Sequence, residues 1–93
     1  MIEQFIKLFD DDPKYLNELC YWFAYILKGR FSNGDIWYDP IMSHFYFVCD
    51  DMAYDIRGQV VLPSTSIKWD SYQIIDEADY EKINQYYVLK VGE

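Results

Sequence analysis

The spacing of apolar residues changes once along this chain, near Ser32-Asn33-Gly34, and that change bounds what the chain can fold into. Before it, Ile2, Phe5, Ile6 and Phe9 recur at the spacing of a short amphipathic helix. Asp10-Asp11-Asp12-Pro13 ends this helix and starts a second, with Asp as N-cap and Pro at the first helical position. The second stripe runs through Leu16, Leu19, Cys20, Phe23 and Leu27 to a stop at Gly29. After the turn the period falls to two. Ile36, Trp37 and Tyr38 form a strand closed by Asp39-Pro40, and 43–49 with 52–57 form a hairpin about Asp50-Asp51. Gly58 to Pro63 continues as an edge strand, and Ile67 to Ile75 holds another short strand around Trp69. Asp76, with Asp79 three residues on, opens a helix to about Lys90. The predicted class is α+β: N-terminal helices packed on a small antiparallel sheet, with a C-terminal helix.

At 93 residues the chain makes one domain, 1–93, with a thin core. A composition that is 52% hydrophobic and 20% aromatic argues against disorder and supplies large buried area per residue. No apolar run reaches membrane-span length and the N-terminus lacks a basic signal region, so the expected location is the cytoplasm. In that reducing compartment Cys20 and Cys49 stay thiols. One His and two separated Cys give no recognised metal-ligand spacing, and no cofactor is implied. The net charge of −8 repels nucleic acid and anionic membranes, so a partner would be the basic surface of another protein.

The single histidine, His44, opens the apolar run "HFYFVC". If the hairpin turns at Asp50-Asp51, Cys49 faces Met52, Tyr46 faces Asp55, and Asp55 lies diagonal to His44 on the same face. A one-residue slip would move one of the two to the opposite face. In this register a carboxylate can orient an imidazole, as in a nucleophile–base–orienter arrangement. The candidate nucleophile is Cys20. With Asn17 as the cap, Cys20 sits in the first helical turn, where free N–H groups and the dipole favour thiolate. With the helix starting at Pro13, it lies two turns in and is an inert core thiol. Asp55 also has plainer uses, pairing with Arg57 or capping the turn at Gly58.

The segments "CYWFAYILKGRF", "HF" and "YDIRG" together resemble the minimal Cys-His-Asp pattern of papain-like and transglutaminase-like domains. They are also similar to small proteins of phages and mobile elements of Firmicutes. The resemblance covers residues 17–58 and implies Cys20 as nucleophile, His44 as base and Asp55 as orienter.

Two functions follow. One is a compact cysteine hydrolase or acyl transferase acting on an amide, ester or thioester carbonyl. The alternative is a non-catalytic acidic inhibitor of a host defence protein, of anti-CRISPR or DNA-mimic type, that occupies a basic groove. Its binding residues would be Asp10, Asp11, Asp12, Asp50, Asp51, Asp76, Glu77 and Asp79, with Tyr80 supplying contact area.

Overall fold

A computed structural model describes residues 2–9 and 19–89, with side chains described as far as Tyr86. The chain forms α1 (Ile2–Ile6), a 3₁₀ turn (Lys7–Phe9), α2 (Cys20–Arg30), β1 (Asp35–Asp39), β2 (His44–Cys49), β3 (Met52–Asp55), β4 (Gly58–Val60), β5 (Ile67–Lys68), α3 (Trp69–Ile75), α4 (Glu77–Ile83) and a π-helical turn (Asn84–Leu89). The strands make one antiparallel sheet in the order β4-β3-β2-β1-β5. The α+β class and the change of period after residue 34 are as expected. The acidic run Asp10, Asp11 and Asp12 lies outside the described residues, as does Asn17.

Helix α2 spans two apolar clusters. Phe23 and Leu27 join Ile6, Phe47, Cys49, Tyr54 and Ile56 in one; Cys20 and Ala24 join Tyr38, Phe45, Trp69, Tyr72 and Ile83 in the other. The second cluster is bound largely by rings. Tyr38 and Trp69 both pack on Phe45, with centroids 4.7 and 4.8 Å apart, and Tyr80 stacks on Trp69 at 4.4 Å. Burying aromatic area in this way lets a short chain build a core.

The α2–β1 turn depends on Lys28, whose ammonium donates to the Gly34 carbonyl at 2.5 Å and to the Ser32 carbonyl at 3.3 Å. It thereby occupies carbonyls of the turn that follows the helix. Gly34 is required by packing: a Cβ there would press into the Phe47 ring and come within 2.8 Å of the Val48 carbonyl oxygen.

Three segments differ from the sequence expectation. The strand expected around Trp69 is only Ile67–Lys68, and Trp69 opens α3. Trp69 and Tyr72, three residues apart, bury the same helix face in the second cluster, so tertiary packing of a helical pair outweighs the β propensity of Trp. The C-terminal helix begins as expected, with the Asp76 side chain accepting from the Asp79 N–H, but becomes π-helical after Ile83. The second hairpin arm is also shorter than expected. It ends at Asp55, and Ile56-Arg57 turn the chain into β4 at the sheet edge.

The β2–β3 turn holds Asp50 and Asp51 at φ of 53° and 64°. Left-handed backbone suits Gly far better than a residue with a Cβ. Asp51→Gly is expected to raise unfolding free energy by roughly 0.5–1 kcal/mol. Gly34→Ala should lower it by roughly 1–3 kcal/mol through overpacking. Urea titrations of the two variants check both signs.

Candidate active site

The β2–β3 register pairs Cys49 with Met52, Val48 with Ala53 and Phe47 with Tyr54. Continued by one step, it sets Tyr46 opposite Asp55 and leaves Asp55 diagonal to His44, as the hairpin argument requires. The diagonal is closed: His44 Nε2 lies 3.1 Å from Asp55 Oδ2. Both groups are buried, His44 at 7% and Asp55 at 3% exposure. The edge of the His44 ring also meets Tyr46, with centroids 4.7 Å apart.

Asp55 is held from its other side by the turn that follows it. Asp55 pairs with Gly58 across a two-residue turn, and Gly58 takes a φ of 101° to close it. The Arg57 backbone N–H then donates to Asp55 Oδ1 at 2.8 Å. Arg57 Nε lies 3.2 Å from Oδ1 and 3.0 Å from Oδ2, and Nη2 reaches Oδ2 at 2.5 Å. The plainer pairing of Asp55 with Arg57 is therefore present together with the pairing to His44, on one carboxylate. Burial alone would raise the Asp55 carboxyl. The bonds from His44 and Arg57 outweigh it and bring the carboxyl down to about 2.

Cys20 is the first residue of α2, with Leu19 as N-cap and no side chain capping the end. It is 2% exposed. Its thiol is among the groups that raise the His44 pKa. Burial pulls the His44 pKa down, but Asp55 and Cys20 overcome it and push it up to about 9. The structure thus brings His44 and Asp55 into direct contact. Cys49 lies in the first apolar cluster, where burial and the neighbouring Asp50 push its thiol up.

The acidic candidates occupy separate elements. Asp50 and Asp51 are exposed at the hairpin tip, and Glu77 is exposed in the first turn of α4. Asp76 is engaged as the α4 cap, Asp79 accepts from the Tyr72 hydroxyl, and Tyr80 lies on Trp69. Among the described residues no group of three or more His, Cys, Asp or Glu side chains is placed to hold a metal ion, and no helix is long and apolar enough to cross a membrane.

Sequence reasoning did not single out Asp39, read there only as a strand end. It is fully buried beside His44, as its cross-strand partner. Its Asp-Pro context gave a turn signal that masked its place at the site.

Because the Asp55 carboxyl drops from an ordinary 3.8 to about 2 on folding, it contributes ~2 kcal/mol of stability. That contribution is present above the unfolded value and is lost as pH falls through about 2. Urea unfolding between about pH 5 and 2 should show this acid limb, and Asp55→Asn should flatten it. An equally steep limb in Asp55→Asn would assign the loss to other carboxylates.

No curated protein and no solved structure matches the chain. The family described as phage YunG-like protein matches it over residues 2–90, nearly its whole length and the whole of the constellation just described. The chain belongs to the phage YunG-like family.

Proposed function

We propose that the protein is a thiol-dependent acyl hydrolase or acyl transferase in which Cys20 is the nucleophile, His44 the acid–base and Asp55 the orienting carboxylate. The observation that carries this reading is the chain's single imidazole, bonded to a buried carboxylate and with a pKa raised by Asp55 and by Cys20 at a helix start. The resemblance of "CYWFA", "HF" and "YDIRG" to the papain-like and transglutaminase-like pattern supports it from the sequence side.

The chemistry follows from these groups. Cys20 sulfur attacks the substrate carbonyl carbon, its proton passing to His44. The carbonyl electron pair moves to oxygen, where N–H groups at the start of α2 can receive the developing charge. The C–X bond then breaks, His44 gives its proton to the leaving group, and a thioester remains on Cys20. Water or another acceptor attacks that thioester with His44 taking its proton, and the thiol is regenerated. Asp55 stays ionised throughout and keeps the ring aimed. With Cys20 at 2% exposure, substrate enters only as the surrounding structure opens.

A second reading, an acidic inhibitor of a basic protein surface, is supported by the net charge of −8 and the exposed Asp50-Asp51 tip. It is weakened by the internal engagements of Asp76, Asp79 and Tyr80.

Alkylation separates the two. Iodoacetamide should modify Cys20 of the folded protein already at about pH 6–7, below the ~8.5 of an ordinary thiol. His44→Ala should slow this roughly tenfold or more at the same pH, because the thiolate loses its counter-charge. Peptide mapping supplies Cys49 as the internal control. A Cys20 that stays unreactive up to about pH 8, or whose profile is the same in His44→Ala, is a structural thiol and ends the enzyme reading.

A further inference from the structure

Asp39 stands directly across from His44, its Cα partner on β1, yet His44 takes the diagonal carboxylate of Asp55 instead. Cross-strand partners share a face of the sheet, so Asp39 is on the face that carries His44, Tyr46 and Asp55. Its charge is felt there: Asp55 first, then Asp39, add to burial in raising the Tyr46 phenol, with Arg57 opposing them.

Asp39 is 0% exposed. Its Oδ1 is fixed by two donors, the Ile41 N–H at 3.2 Å and the Thr65 hydroxyl at 2.6 Å. Its Oδ2 is buried and has no hydrogen-bond partner among the described residues. A carboxylate out of water with one oxygen unpaired is costly, and native structures rarely keep one without a use. The carboxylate is held still by one oxygen while the other is free to accept.

We propose that Asp39 is the anionic floor of a substrate subsite, selecting acyl substrates that carry an ammonium or guanidinium group close to the reacting carbonyl. The proposal rests on the thiol reading above. A cationic donor is the ligand class that matches an unpaired buried carboxylate, since it supplies both the missing hydrogen bond and the missing charge. Neutral donors supply only the bond, and anions are repelled. Asp39 stands across from His44, the acid–base of that reading, so a substrate that reaches His44 arrives beside Asp39. Thr65 becomes a positioning residue, because its hydroxyl sets the direction of the carboxylate.

The test uses the intact protein and thiol reagents that differ in charge. Aminoethyl methanethiosulfonate is cationic and methyl methanethiosulfonate is neutral, and labelling of Cys20 is read by peptide mapping. Salt at about 0.3 M screens the diffuse field of the acidic surface. Relative to a small model thiol, the wild type should favour the cationic reagent by roughly tenfold, and Asp39→Asn should reduce that preference to about threefold or less. Asn keeps an acceptor for Ile41 and Thr65 while removing the charge. As a second measurement free of mutation, agmatine should protect wild-type Cys20 from the neutral reagent, and butanol should not. An unchanged charge preference in Asp39→Asn, no preference in the wild type, or equal protection by agmatine and butanol overturns the subsite. If neither reagent labels Cys20, the thiol reading itself fails and the subsite falls with it. Labelling without charge preference leaves the thiol reading standing and removes only the subsite.

Discussion

One carboxylate is shared by two cationic partners from opposite sides: Asp55 meets His44 across the sheet and Arg57 from the turn that follows. Removing Asp55 from water would be prohibitive if it were unpaired. Here the cost is offset by hydrogen bonds that form only if β2, β3 and β4 are all in register. The pair therefore ties the correctness of the sheet to the integrity of the site. A slip of one residue between β2 and β3 would strand a buried acid and a buried imidazole on opposite faces.

The surrounding architecture serves this contact. The left-handed Asp50 and Asp51 set the first hairpin, and Gly58 closes the second so that the Arg57 N–H reaches Oδ1. On the other side of the sheet, Phe45, Phe47 and Tyr54 hold α2 through Phe23, Ala24 and Leu27. Since α2 starts at Cys20, packing of this helix fixes where that thiol lies. Aromatic stacking in the second cluster then anchors Trp69 and Tyr72 against the same helix end. Core packing and site geometry are in this sense one problem, solved by the placement of α2 on β2.

Much of this was legible in the residues. Alternation in "HFYFVC" and "MAYD", with a two-residue acidic turn between them, is enough to derive the pairing of Cys49 with Met52 and from it the His44–Asp55 diagonal. The Asp76–Asp79 cap is equally local. What could not be read depends on distant partners. Leu19 carries no capping side chain, so the start of α2 has no signal in its own residues. Trp69 suits a strand by propensity and turns helical because Phe45, Tyr38 and Tyr80 gather around it. Asp39 reads as a strand terminator before Pro40, and only the pairing of β1 with β2 sets it beside His44.

The chain's only histidine makes the central claim directly measurable, because a single imidazole resonance can be followed by NMR without assignment. In the folded protein that resonance should titrate at about 9, above the ordinary 6.5, because Asp55 and Cys20 together outweigh burial. The midpoint should fall in Cys20→Ser and in Asp55→Asn, each of which removes one of the two partners. A wild-type midpoint at or below 6.5, with burial prevailing, would contradict the account.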